Sequence, residues 1–331
     1  MHPIHDNSIT YLGETTFRNR HIRFGIKRAD RLAHIYAIGK TGTGKTTFLE
    51  TLIRQDIAAG EGLALIDPHG DLVERIAASV PEERARDVFY LNAPDPAQPY
   101  GYNPLKSVVQ GKRPLAASGL LEVFKTMWAD SWGARMEHIL RNAILALLDY
   151  PEATLPDILR LLTDNAFRKQ IAAHVDNTRV ADFWLKEFPD YPLRTRAEAI
   201  IPIQNKVGAF LADPTVSRIL TKPEQPLQIR KIMDEGKILL VNLAKGRIGS
   251  DAASILGGLL VTTISLAAFS RAEVEENARR DFFLYIDEFQ NFSPLSLATM
   301  ASELRKYHVG LVLANQYLRQ LEPELRDAVL G

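Results

Sequence analysis

Residues 35–50 read IYAIGKTGTGKTTFLE, a short apolar run that ends in glycines and passes straight into helix-forming residues. Gly39, Gly44, Lys45 and Thr46 satisfy the spacing of a glycine, four residues, then glycine, lysine and a hydroxyl residue. This pattern constrains the fold strongly, because the loop works only between a strand and the N-terminus of a helix. Its glycines let backbone N–H groups curl around phosphate oxygens, and the helix N-terminus adds positive potential there. The segment therefore predicts a strand over 34–39, a phosphate-gripping P-loop and a helix over 45–60. Gly39, Thr41, Gly42, Thr43, Gly44, Lys45, Thr46 and Thr47 are the residues expected to hold ATP. Lys45 would reach the β and γ phosphates, and the Thr46 hydroxyl would bind Mg²⁺.

Strand-like and helix-like runs alternate beyond this loop. LALID (63–67), a polar PHGD turn, LVERIAASV and DVFYLN (87–92) continue the pattern, and KILLVNL (237–243), FFLYIDEF (282–289) and VGLVLANQ (309–316) resume it. Such alternation predicts an α/β fold with a mainly parallel sheet flanked by helices. From APDPAQPYGYNPL (93–105) to TKPEQPLQI (221–229) the spacing is helical, as in RMEHILRNAILALLDY, which reads as an all-α insertion between Pro-rich hinges. The expected organisation is thus 1–104, the first part of the nucleotide-binding domain; 105–230, the all-α insertion; and 231–331, the second part. AASILGGLLVTTISLAAFS (252–270) is uncharged and nearly long enough to cross a bilayer. It lies between two strand-like runs that should share a sheet, so it reads as a helix buried in the α/β core. The closing LEPELRDAVLG reads as a helix, with an expected edge strand missing behind it.

Composition narrows the choice of partners. With 331 residues, 46% hydrophobic and 24% charged, the chain can bury one large domain or two smaller ones. A formal net charge of +0 requires any nucleic-acid binding to use a local patch. Cysteine is absent, which rules out disulfides and thiolate metal sites, and the 8 histidines fall in no ligand spacing. MHPIHDNSIT has neither the basic start nor the apolar run of a signal peptide, which predicts a cytoplasmic address.

Further candidates sit at the tips of the other strands. A phosphate-bound Mg²⁺ needs an acidic partner on a neighbouring strand, and the apolar FFLYIDEF supplies Asp287, as a Walker B strand does. Glu288, one residue beyond, is placed to orient or deprotonate an attacking water. Asn315 and Gln316 end another buried strand, where their amides could bond the water and the γ-phosphate; Gln316 is the expected sensor. Asp67 and His69 stand at a third strand tip, on the edge where ligands of open α/β sheets gather. Asp71 is placed as the N-cap of the following helix.

Taken together, HIYAIGKTGTGKTT, LALIDPHGD, FFLYIDEFQNF and LRKYHVGLVLANQYLRQL resemble the HerA/FtsK superfamily of hexameric DNA-pumping motors. Within it the helical insert most resembles the type IV secretion coupling proteins of the TraG/TraD kind, which feed DNA to a conjugation channel. The resemblance covers nearly the whole chain after residue 30, the insert being matched by position and helical character alone. It implies a RecA-like domain, a homo-hexameric ring with ATP at subunit interfaces, DNA in the central channel, and hydrolysis of ATP to ADP and phosphate. It also implies a relaxase and type IV secretion channel proteins as partners. A positive side chain from the neighbouring subunit would stabilise charge on the γ-phosphate. Arg305 in ELRKYHVG matches that position, with Lys306 as fallback and Arg247 as a weaker alternative. Coupling proteins usually begin with transmembrane helices and this sequence shows none at its start, so any membrane attachment is expected to be peripheral, at the inner face.

Two basic segments are candidates for DNA backbone contact with little sequence preference: FRNRHIRFGIKRADR (17–31), with Arg18, Arg20, Arg23, Lys27 and Arg28, and PLRTRAEAIIPIQNK (192–206). Trp128, Trp132 and Trp184 read as helix packing. Rival readings are a HerA-like DNA-processing or defence translocase, and a secretion-assembly ATPase that moves protein. A nucleotide-gated switch without turnover is a third, and it has little use for Glu288.

Overall fold

A computed structural model describes residues 8–106, 108–221, 223–292, 300–321, 323, 326 and 327. The helix expected over the last residues falls largely outside them. The chain forms two compact units, one of Met1–Gln98, Gln228–Gly249 and Ala267–Gly331, the other of Pro99–Leu227 and Ser250–Leu266.

The first unit opens with an antiparallel hairpin, β1 (Ile9–Thr15) and β2 (Ile22–Lys27). Six strands then build one parallel sheet: β3 (Ile35–Ile38), β4 (Gly62–Asp67), β5 (Val88–Asn92), β6 (Ile238–Asn242), β7 (Phe282–Ile286) and β8 (Val309–Asn315). Their order across the sheet is β3-β8-β7-β4-β6-β5. Every residue of β4, β6, β7 and β8 is buried, as expected of unbroken apolar runs covered on both faces. Helices α1 (Lys45–Ala58) and α2 (Asp71–Ser79) cover one face. Leu49, Leu52 and Ile53 of α1, with Leu72 and Ile76 of α2, pack on Leu63, Leu65, Leu240, Phe283 and Tyr285, the alternate residues of their strands. This is a RecA-like α/β fold with the predicted parallel sheet.

Because all six strands run in one direction, their C-terminal ends share one edge. Register makes the alignment explicit: Ile38 is level with Asn315, Leu313 with Ile286, Ile286 with Ile66, and Asp67 with Asn242.

One polar cluster lies inside this core. Arg31, 2% exposed, pairs through both terminal nitrogens with the Asp56 carboxylate on α1. It also donates to the Tyr285 hydroxyl of β7 at 2.8 Å, and that hydroxyl donates to Asp56. The guanidinium lies 3.8 Å above the Phe283 ring. Burial opposes its charge, yet Asp56 and Tyr285 outweigh burial and hold its pKa above the ordinary value.

The second unit is mainly helical. Its longer helices are α3 (Arg113–Met127), α4 (Ala134–Leu148), α5 (Leu193–Ala212) and the part of α6 (Ser250–Phe269) up to Leu266. A two-residue parallel bridge joins Tyr100–Gly101 to Gln225–Pro226, holding the two ends of residues 99–227 together. The uncharged stretch is helical and buried, but most of it clusters with this unit and not with the sheet. Small residues explain the packing: a Cβ on Gly119 of α3 would meet Thr262 of α6 at 2.8 Å, and one on Gly258 would meet Val123 at 3.2 Å. The tryptophans are packing residues. Trp184 is buried and donates to the Asn142 carbonyl, Trp128 stacks on Phe124 with centroids 5.1 Å apart, and Trp132 donates to Glu137.

Candidate functional site

The loop between β3 and α1 sits at the carboxyl edge of the sheet. Gly42 and Gly44 adopt φ of 83° and 94°, a region open to glycine but strained for other residues, so these two positions let the backbone turn into the helix. Lys45 begins α1 and its Nζ donates back to the Gly39 carbonyl at 2.5 Å. The Thr43 hydroxyl donates to the Lys40 carbonyl at 2.7 Å, closing the loop on itself. Thr41, Gly42, Thr43 and Thr47 are exposed and Thr46 is half-buried, so the loop presents its surface outward.

Glu288 follows β7 in a left-handed conformation, φ 48°, unusual for a residue with a side chain. The turn Phe289–Asn291 holds it there: the Asn291 side chain donates to the Glu288 carbonyl at 2.8 Å, and Phe289 is fully buried against the edge of the Tyr36 ring. Both oxygens of its carboxylate are engaged by amides. Gln316 Nε2 donates to Oε1 at 2.8 Å, and Gln290 Nε2 donates to Oε2 at 2.6 Å. The Gln290 carbonyl oxygen is buried without a partner among the described residues.

Asp287, beside it, is 5% exposed. Burial, then the Asp67 and Glu288 carboxylates, push its pKa up to about 6. A buried carboxylate raised by its neighbours is suited to a cation, which would relieve the repulsion. Asp287 and Glu288, predicted at the end of one strand, and Gln316, predicted at the end of another, thus lie together at one edge, with the Lys45 loop entering from β3, the neighbour of β8.

Other candidates have different roles. Asn315 is fully buried; its side chain accepts from the Tyr36 hydroxyl at 2.7 Å and donates to the Tyr317 carbonyl, so it braces β3 against β8 and is not open to a ligand. Asp67 is also committed, accepting from the backbone N–H groups of His69, Leu72 and Val73 at 2.8–3.0 Å. It therefore caps α2 from the strand end, the role the sequence suggested for Asp71, which is instead the first residue of that helix. His69 and Arg247 are exposed. Arg305 is exposed in the turn before β8 and makes no side-chain bond among the described residues, whereas Lys306 pairs with Glu303. Sequence reasoning missed Gln290, whose only signal is its place two residues after Glu288.

Residues 25–324 match the family model of the type IV secretion-system coupling protein DNA-binding domain. Solved structures with a similar fold include the following three. Plasmid coupling protein TrwB in complex with a non-hydrolysable ATP analogue is 19% identical over 98% of this chain and 73% of that one, with a TM-score of 0.66. TrwB in complex with ADP and Mg²⁺ is 18% identical over 92% and 70%, with a TM-score of 0.62. VirB4 of Thermoanaerobacter pseudethanolicus is 14% identical over 98% and 81%, with a TM-score of 0.61. No curated protein matches the sequence.

Proposed function

The chain belongs to the family of type IV secretion-system coupling protein DNA-binding domains, and from that premise we propose that it is an ATP-hydrolysing DNA translocase of conjugative transfer, working as a homo-hexameric ring. The observation that carries the reading is the contact between Gln316 and Glu288 at 2.8 Å, at the sheet edge that also bears the Lys45 loop. In this reading Gly39, Thr41, Gly42, Thr43, Gly44, Lys45, Thr46 and Thr47 hold the phosphates. Thr46 and Asp287 would hold Mg²⁺, which would supply positive charge against the phosphates. Glu288 takes the proton of the attacking water as its oxygen bonds to the γ-phosphorus and the bond to ADP breaks. Gln316, already bonded to Glu288, is placed to report whether a γ-phosphate is present.

Arg305 supports the ring. It precedes β8 while Gln316 follows it, so a seven-residue strand, on the order of 20 Å, separates Arg305 from its own site. An exposed arginine at that distance is available to the nucleotide of a neighbouring copy. The cargo is DNA gripped by its backbone, with a relaxase and secretion channel proteins as further partners. The protein then works in the cytoplasm, peripheral to the inner face of the membrane. One helical stretch among the described residues, Ser250–Glu273, is long and apolar enough to span a bilayer, and 83% of its apolar window is buried within the fold.

Steady-state ATP hydrolysis measured over a range of protein concentrations, with and without DNA, tests this reading. The rate per copy should rise with both, and Arg305→Ala should lose the concentration-dependent part while still binding nucleotide. A rate indifferent to DNA would favour the protein-moving assembly ATPase instead.

Asp287 adds a pH dependence. Its folded pKa, about 6, lies above the ordinary 3.8, so its contribution to stability is fully present below about pH 4 and is lost as pH rises through about 6. A bound cation reverses the preference, since it needs the ionised form. Mg²⁺ with ADP is therefore expected to raise the melting temperature more at about pH 7.5 than at about pH 5.5, and Asp287→Asn should abolish that difference. An equal rise at both pH values would remove Asp287 from the cation site.

A further inference from the structure

The β1–β2 hairpin takes no part in the nucleotide site, yet it bears an unusual surface. Tyr11, Phe17 and Phe24 leave 43%, 71% and 50% of their area exposed. Arg18 lies over the Phe17 ring at 5.1 Å and Arg23 over the Tyr11 ring at 5.9 Å. Across residues 9–27 the charges are Arg18, Arg20, Arg23 and Lys27 against Glu14, in a chain whose net charge is +0. The hairpin is thus a locally basic strip with exposed aromatic rings along it.

A polyanion answers the charge, and the rings decide which kind. In a duplex the flat faces of the bases are hidden in the stack, so exposed rings gain little from it. A single strand offers phosphates and unstacked bases together, and stacking of bases on aromatic rings adds affinity whatever the sequence. We propose that the β1–β2 hairpin is a docking surface for single-stranded DNA, with its arginines on phosphates and Tyr11 and Phe17 against bases. This deepens the proposed function, on which it rests for DNA as the partner, by naming the strand form and the surface that holds it.

The hairpin is also bonded to the helix that follows the Lys45 loop. The main chain of Tyr11 exchanges hydrogen bonds of 2.8 and 2.9 Å with the Gln55 side chain of α1, and the Thr10 hydroxyl accepts from Arg31 at 3.3 Å. The helix that begins at Lys45 is therefore bonded directly to the strand that would carry the load.

The test is fluorescence anisotropy of the full chain with labelled oligo-dT of about 20 nucleotides and a duplex of equal length, as a function of salt. The expected result is tighter binding of the single strand, weakened about tenfold by Phe17→Ala and by Tyr11→Ala. Arg20→Gln should reduce the salt slope by about 0.7. Since these side chains are exposed, an unmoved melting temperature checks that the variants are folded. If the wild type binds DNA and the variants bind it equally well, the hairpin proposal falls and the DNA function stands. If the wild type binds neither form, both fall. If the variants lose self-association in sedimentation velocity and keep their affinity for the strand, the hairpin is a contact between copies and the proposal is overturned.

Discussion

Glu288→Gln is expected to lower kcat for ATP hydrolysis by about a thousandfold, with KM for ATP changed less than about threefold. The exchange keeps the side chain's length and removes its ability to accept a proton. It also disturbs the local bonding. Gln316 and Gln290 each present an N–H to one carboxylate oxygen, and the introduced amide has only one oxygen to offer. One neighbour must flip its own amide or turn away, beside a residue whose left-handed backbone already fixes its direction. The loop around Lys45, which the proposed function assigns to phosphate, is untouched, so a fluorescent ATP analogue should bind the variant as it binds the wild type. Steady-state turnover beside that titration separates the outcomes: a variant that hydrolyses ATP at nearly the normal rate removes Glu288 as the base and leaves a nucleotide-binding switch as the better reading.

Arg31→Met is expected to destabilise the protein by about 4 kcal/mol, because it strands the Asp56 carboxylate in the core without its partner. The cost comes chiefly from the buried charge left behind, and less from the lost attraction. A double variant, Arg31→Met with Asp56→Leu, should therefore recover much of the loss, since it removes both charges and keeps apolar volume. Urea denaturation of the single and double variants measures this. If Arg31→Met costs less than about 1 kcal/mol, Asp56 has found water or another donor, and its charge does not depend on Arg31.

Much of the architecture was legible because its signals are local. The strands are unbroken apolar runs, and the glycine loop joins one of them to a helix within a dozen residues. Asp287, Glu288 and Gln316 could be placed the same way, each following an apolar run that ends at the carboxyl edge of the sheet. What escaped the sequence depends on contacts between distant residues. Arg31, Asp56 and Tyr285 meet across separations of 25 and 229 residues, and no periodicity pairs them. Asp67 and Asn315 also stand at strand tips, but backbone donors and the Tyr36 hydroxyl claim their side chains, so position alone overstated their freedom. The uncharged helix was recognised as buried, while its partner was misjudged. The small residues that fit α6 against α3 carry no mark of which element they will face.

That misjudged helix bears on how such a chain could be inherited. Residues 99–227 leave and return at one place, closed by the bridge between Tyr100–Gly101 and Gln225–Pro226, and look like a cassette that a single exchange of sequence could replace. Yet Ser250–Leu266 completes the same unit from farther along the chain. A recombinant that swapped the first segment alone would pair an unfamiliar set of helices with a 20-residue α6 whose only charge is Asp251 in its first turn. Viable descendants must therefore carry both segments together, or remake the glycine contacts between α3 and α6, so the two stretches are expected to diversify as one heritable unit.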